Sequence, residues 1–220
     1  MAYQSFYRTY RPKSFDEVVG QKTIIKTLKN ALKNDKIGHA YLFSGPRGTG
    51  KTTLARLFAK ALNCDEGLGH ECNKCDSCEA ILSGTHPDVY ELDAASNSGV
   101  DNIRELIDQV RYEPIMGRYK VYIIDEVHSM TSNAFNALLK TLEEPPAHVI
   151  FILATTEPQK VLPTILSRVQ RFDFSKISDD DLISKMEYVL KQENVNYEIG
   201  ALRLIARLAD GGARDALSIL

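Results

Sequence analysis

Nowhere in the 220 residues does an apolar stretch approach the roughly 20 needed to cross a bilayer, so no membrane role is expected. The opening residues, Met1-Ala2-Tyr3-Gln4-Ser5, have neither the basic start nor the apolar run of a secretion signal, and the expected compartment is the cytoplasm. Charge of one sign is lacking as well: 27 Lys and Arg against 29 Asp and Glu leave a net charge of −2. That balance argues against affinity for nucleic acid through overall positive charge, while leaving room for a local basic surface. There is no low-complexity run and no internal repeat, and 44% hydrophobic with 25% charged residues is ordinary for a globular chain. Cysteine is scarce too, and in a reducing cytosol such residues serve metals or catalysis sooner than disulfides. The length suits one full α/β core and a smaller appended domain.

Short apolar runs alternate with helical patterns. Ala40-Tyr41-Leu42-Phe43-Ser44 reads as a strand, followed by a glycine-rich turn and a helix with Leu54, Leu57, Phe58, Ala61 and Leu62 at helical spacing. Val89 to Leu92 precedes a helix carrying Ile103, Leu106, Ile107 and Val110. Tyr119 to Ile124 has the apolar, β-branched character of a strand buried on both faces. Ala134 to Leu142 reads as a helix stopped by Pro145-Pro146, Val149 to Ala154 as a buried strand and Val169 to Phe174 as a fifth strand. This rhythm predicts an α/β fold, a parallel sheet with helices on both faces. After Ser175 it gives way to three helical segments, about 179–192, 197–209 and 212–220. The expected division is a domain over 1–175 and a small helical domain over 176–220, joined near Ser175 to Ser178. The chain stops at Ser218-Ile219-Leu220 without a helix stop signal, as a piece of a longer protein would.

Gly45-Pro46-Arg47-Gly48-Thr49-Gly50-Lys51-Thr52, with Thr53 beside it, fits G-x-x-x-x-G-K-[ST] at every required position. The glycines let consecutive backbone N–H groups point into one concavity that holds phosphate oxygens. Lys51 sets a positive charge against the β- and γ-phosphates of ATP, the Thr52 hydroxyl supplies a Mg²⁺ ligand, and the helix opening at Lys51 adds its dipole. A bland glycine turn is the alternative, but the predicted strand before the loop and helix after it are the context the motif requires.

Val121-Tyr122-Ile123-Ile124-Asp125-Glu126 is an apolar run ending in two carboxylates. At the C-terminal edge of a parallel sheet these acids lie beside the mouth of the phosphate loop. Asp125 is placed to hold Mg²⁺ through water, and Glu126 to orient and deprotonate an attacking water. A capping acid pair is the bland reading. All four cysteines fall in the form C-x7-C-x2-C-x2-C, Cys64, Cys72, Cys75 and Cys78, so that neighbouring thiolates can converge on one tetrahedral ion. Four thiolates make a closed, structural Zn²⁺ site; an iron–sulfur cluster is the alternative occupant. The nearby His70 and His86 are left out of the ligand set.

Further stretches extend these motifs: Asp125-Glu126-Val127-His128, Ala137-Leu138-Leu139-Lys140-Thr141-Leu142-Glu143-Glu144-Pro145-Pro146, Ala154-Thr155-Thr156-Glu157, Ser167-Arg168 and Gly212-Ala213-Arg214-Asp215-Ala216. Over essentially the whole chain this set resembles the AAA+ clamp-loader ATPases of bacterial replication, and the run from Leu138 to Pro146 is specific to them. The resemblance implies a P-loop AAA+ domain, with the cysteine segment at about 64–79 as a zinc module inserted in it, and a helical lid. It gives Thr156 the sensor-1 role, hydrogen-bonding the γ-phosphate or the attacking water. Thr155 is the alternative, since neighbouring strand residues face opposite sides. Arg214 matches the sensor-2 arginine, which contacts the γ-phosphate of its own subunit. Arg168 matches the arginine that acts in trans on ATP held by a neighbouring subunit, although Val169 stands where the family motif has Cys. Tyr10-Arg11-Pro12 and Val18-Val19-Gly20 correspond to the segment over the adenine base.

The implied function is ATP hydrolysis coupled to opening a sliding clamp and placing it on primer–template DNA, with other clamp-loader subunits as partners in an oligomer. This piece alone is expected to be monomeric. DNA would be held by its backbone, with Ser98 to Arg104 as candidates through a helix N-terminus. Two rivals fare worse. A branch-migration helicase would need a DNA-reading winged-helix domain for which no sequence remains. A non-hydrolysing scaffold tends to lose Gly50, Lys51, Thr52, Asp125 or Glu126, all of which are present. A DNA polymerase label could attach by association, but nothing in the sequence suggests phosphodiester synthesis.

Overall fold

The structure, a computed structural model, describes residues 5–96 and 100–220, with residues 100–102 described by backbone alone. In chain order its elements are α1 (Phe6–Thr9), α2 (Lys22–Lys33), β1 (Ala40–Ser44), α3 (Lys51–Asn63), α4 (Asp76–Ser83), β2 (Val89–Asp93), α5 (Val100–Val110) and β3 (Lys120–Asp125). There follow α6 (Ser132–Glu143), β4 (Val149–Thr155), α7 (Pro163–Leu166), β5 (Gln170–Asp173), α8 (Asp179–Gln192), α9 (Ile199–Leu208) and α10 (Ala213–Ile219).

Among the described residues the strands form one parallel sheet in the order β2-β3-β4-β1-β5. β1 and β4 are buried along their whole length, and β3 along all but its last residue, whereas the edge strands β2 and β5 are largely half-buried or exposed. Side chains alternate between two cores: Tyr41, Phe43, Val121 and Ile123 join α2 and α3, while Leu42, Tyr122 and Ile124 join α5 and α6. Tyr90, Tyr122 and Phe151 stand in register on β2, β3 and β4, with ring centroids 5.0 and 5.4 Å apart. This aromatic ladder adds to area burial and fixes the strand register.

The predicted strands are present to within a residue or so at each end. Besides the single-turn α1, two longer helices escaped the sequence reading. α2 buries Ile24, Leu28 and Leu32 at fourfold spacing, but Gln21 at its start is left-handed (φ 53°) and makes no side-chain cap, so the usual start signal is missing. α4 begins inside the cysteine cluster, with the Cys75 sulfur accepting from the Cys78 N–H, where metal-type spacing hid the helix.

A third core gathers Leu182, Met186, Leu202, Ala206 and Leu217 from α8 to α10. Ser178 caps α8 by accepting from the Asp181 N–H, and three aspartates fill the first turn, where the helix dipole favours them. Phe6, Tyr7, Tyr10 and Val19 pack against this helical core, so the N-terminal segment leans on the C-terminal helices, a long-range contact no local pattern signals. Gln21 fastens the same segment to the joint, donating from Nε2 to the Ser175 carbonyl at 2.7 Å. The Ala213 N–H donates to the Gly48 carbonyl (2.9 Å), bringing α10 against the loop after β1.

Candidate functional site

The turn from β1 into α3 needs glycine, as Gly45 and Gly50 show. A Cβ on Gly45 would lie 2.3 Å from the Phe174 carbonyl oxygen, and Gly50 has φ 97°. Lys51 is buried, and its Nζ donates to the carbonyls of Gly45 and Pro46, both at 2.8 Å, which aims the ammonium across the loop. Burial pushes its pKa down, and Glu126 and Asp125 oppose that shift. The Thr49 hydroxyl closes the turn onto the Pro46 carbonyl at 2.8 Å.

β3 delivers Asp125 to the same mouth, where Thr52 Oγ1 donates to Asp125 Oδ2 at 2.6 Å. Two hard oxygen donors so placed fit the preferences of Mg²⁺, so this pair can serve as its protein ligands. Glu126 follows in a left-handed conformation (φ 47°), a backbone strain of about 1–3 kcal/mol of the sort found at active sites. One of its oxygens accepts from the Thr156 hydroxyl (3.1 Å) and the Thr156 N–H (3.3 Å). Of the two threonines considered, Thr156 therefore meets Glu126, while Thr155 is fully buried with its hydroxyl against His128 Nδ1 (3.0 Å).

Loop and acids open into a cleft of about 570 Å³. Arg47, Gly48, Thr49, Gly50, Lys51, Thr52 and Thr53 line it with Asp125 and Glu126, and so do Tyr10, Arg11, Pro12, Val18, Val19 and Arg214. Seven cations (Arg8, Arg11, Arg47, Lys51, Arg56, Lys185, Arg214) face three acids (Glu91, Asp125, Glu126), an excess that suits a polyphosphate. Arg11 is steered by a hydrogen bond from Nε to the Thr53 hydroxyl (3.1 Å), and Arg214 lies over the Tyr7 ring at 5.1 Å. Tyr10 donates to Glu193 (2.6 Å), which ties the N-terminal segment to α8. Tyr7 and the Arg56–Glu91 pair (2.7 Å) had no role in the sequence reading, because only the fold brings them to the cleft.

Arg168 stands apart from the cleft, bound to Glu143 (2.6 Å) and to the Thr164 carbonyl (2.6 Å). The DNA candidates fall partly outside the described residues, which omit Ser98 and Gly99; α5 begins at Val100.

The four cysteine sulfurs lie within 4.8 Å of one another, with Cys64 and Cys75 4.0 Å apart and Cys72 and Cys78 3.9 Å apart. A tetrahedron of sulfurs at about 2.3 Å from zinc has edges of about 3.8 Å, so the cradle fits that ion, and the separations exclude disulfides of about 2.05 Å. The Lys74 backbone N–H lowers the Cys72 thiol to about 7, while burial raises Cys75 and Cys78. His86 is buried and engaged elsewhere: its Nε2 meets the Ser77 hydroxyl (2.9 Å) and its Nδ1 accepts from the Asp88 N–H (3.1 Å).

Fold and site together define a P-loop nucleotide-binding protein of the AAA+ class. The chain belongs to the DNA polymerase III clamp-loader family: residues 20–178 match the family described as DNA polymerase III, delta subunit, and residues 182–220 match DNA polymerase III clamp loader subunit, ATPase lid domain. Its sequence is 56% identical over 221 residues to DNA polymerase III subunit tau of Bacillus subtilis, covering all of this chain and 39% of that protein. It is 50% identical over 220 residues to the tau/gamma subunit of Haemophilus influenzae and to the tau subunit of Escherichia coli, again over all of this chain, and 32% and 34% of those proteins. The chain thus spans about a third of the length of these curated relatives. Among solved structures, the RuvB Holliday junction branch migration motor of Thermotoga maritima shares the fold, with a TM-score of 0.69 and 24% identity over 94% of this chain and 63% of that one. That likeness is one of fold alone. No helix among the described residues is long and apolar enough to cross a membrane.

Proposed function

We propose that this chain binds ATP on the loop from Gly45 to Thr52 and hydrolyses it, as a motor subunit of an assembly that loads a sliding clamp onto primed DNA in the cytoplasm. The observation that carries the reading is the convergence of Thr52, Asp125 and Glu126 at one mouth of the sheet, under a cleft rich in cations. Loop N–H groups and Lys51 hold the β- and γ-phosphates. Thr52 and Asp125 would hold Mg²⁺, which would supply neutralising charge at the phosphates. Glu126 takes a proton from the attacking water, and Thr156 orients Glu126 or the water. Arg214 contacts the γ-phosphate of the same subunit and closes the helical lid, residues 176–220, over a core domain of residues 1–175. Tyr10, Arg11, Val18 and Val19 cover the adenine, and Arg168 completes the site of a neighbouring subunit. Cys64, Cys72, Cys75 and Cys78 would hold a structural zinc ion, which would tie together an inserted module at about 64–79 that offers a surface to other subunits. DNA is held by backbone contacts. The deciding experiment is Glu126→Gln in an ATPase assay with clamp and primed DNA: nucleotide binding should persist and turnover should vanish. Turnover at the normal rate would remove Glu126 from the chemistry.

A further inference from the structure

Neither the motifs nor the site as described so far gives work to His128, yet its ring sits between two carboxylates. It lies in the turn Val127–Ser129 just after β3, with only 14% of the side chain exposed. Nδ1 is 3.3 Å from Glu126 Oε2 and 3.0 Å from the Thr155 hydroxyl, and Nε2 is 3.2 Å from Glu157 Oε2. The Glu126 oxygen it faces is the one that accepts from Thr156, so that oxygen is gripped from two sides. The other charges in reach are Lys160, paired with Glu157 at 2.8 Å, and Lys51, whose field acts on Glu126 from the phosphate loop.

The charge of the ring decides what these contacts are. Thr155 is fully buried and its oxygen already accepts from the Glu157 N–H (3.0 Å), so its hydroxyl proton needs an acceptor. A neutral ring with its proton on Nε2 donates to Glu157 and takes the Thr155 proton at Nδ1, leaving only a lone pair toward Glu126. A doubly protonated ring donates on both sides and attracts both carboxylates.

We propose that His128 is a positioning residue for hydrolysis: as an imidazolium braced by Glu157 it holds the Glu126 carboxylate against Thr156, and as a neutral imidazole it releases that carboxylate to the water. The inference rests on Glu126 being the base. The test measures kcat and KM for ATP from pH 5.5 to 8, using the full-length protein in its native assembly with saturating magnesium. Wild-type kcat should rise several-fold over the range where imidazoles titrate, with KM nearly constant. His128→Gln, which cannot ionise, should flatten that rise and exceed the wild-type kcat at pH 6, whereas a merely structural role would lower kcat at every pH. Glu157→Gln removes the brace and should move the rise to lower pH, and it carries the test alone if His128→Gln does not fold. A wild-type pH limb in both variants, or loss of kcat at all pH values with the limb retained, overturns the proposal. Glu126→Gln separates the two ideas: if it turns over normally the base assignment fails, and if it is inactive while the pH limb survives in both other variants, only the role of His128 fails.

Discussion

Lys51 and Glu126 bear opposite charges on one cleft, and substitution should separate their roles. Lys51→Ala removes a charge-assisted bond to phosphate worth about 1.5–3 kcal/mol, so ATP affinity measured by calorimetry should fall at least about tenfold. Glu126→Gln keeps the size and polarity of the side chain but cannot take a proton. Its affinity should stay within about threefold of wild type while kcat falls by about 10²–10⁴. Equal loss of affinity in both variants would show that the two residues share one role. Sequence spacing was enough to choose these residues, because the loop, the lysine and the strand-end acids sit at fixed offsets from β1 and β3. Spacing alone did not separate Thr155 from Thr156, and only the family resemblance favoured Thr156. That choice depends on how the end of β4 twists beside Glu126, and it puts Thr156 on the carboxylate and Thr155 on His128.

Two short elements carry testable claims of their own. The loop before β3 is pinned by Asp88, a fully buried carboxylate that accepts from the N–H groups of Ile115 (2.8 Å), Met116 (2.6 Å) and Gly117 (2.7 Å). Burial disfavours its charge, but those three donors outweigh burial and hold its pKa below the usual range. A depressed carboxylate stabilises the fold above its unfolded value, about 3.9, and that stability is lost as pH falls through the folded value. Asp88→Asn should therefore cost about 1–3 kcal/mol in urea denaturation at pH 7, and the gap should narrow below about pH 4. A gap that stays constant into acid would mean the charge is irrelevant. The cysteine module is the second element. One zinc per chain is expected by elemental analysis, and its removal should unfold the segment around α4 while leaving most ATP affinity, since none of the four sulfurs lines the cleft. Parallel loss of metal and nucleotide binding would contradict this. The spacing Cys72-x2-Cys75-x2-Cys78 pointed to the cysteine cluster, yet the same short segment also forms α4, which composition did not reveal.

At the scale of the whole molecule, the isolated 220-residue chain should be a poor ATPase, because Arg168 lies outside its own cleft and is held by Glu143. An arginine donated in trans is worth about 10³–10⁵ in turnover in other P-loop proteins, whereas an exposed ion pair contributes under about 1 kcal/mol. Full-length subunits carrying Arg168→Ala should bind ATP normally and fail to activate their neighbours. Normal hydrolysis by that assembly, with clamp and primed DNA, would leave Arg168 as a surface tie. The sequence by itself determined the parallel α/β sheet, the phosphate loop, the two acids and the cysteine set. Each depends on residues close along the chain, where the periods of strand and helix and the fixed offsets of a motif act directly. Only the tertiary structure decided that α1 and Tyr10 pack on the lid helices, that Arg56 and Tyr7 reach the cleft, and that His128 stands between Glu126 and Glu157. Apart from the short step from Glu126 to His128, these contacts join segments distant in sequence, and burial of apolar surface across the whole chain sets them, which no local pattern records.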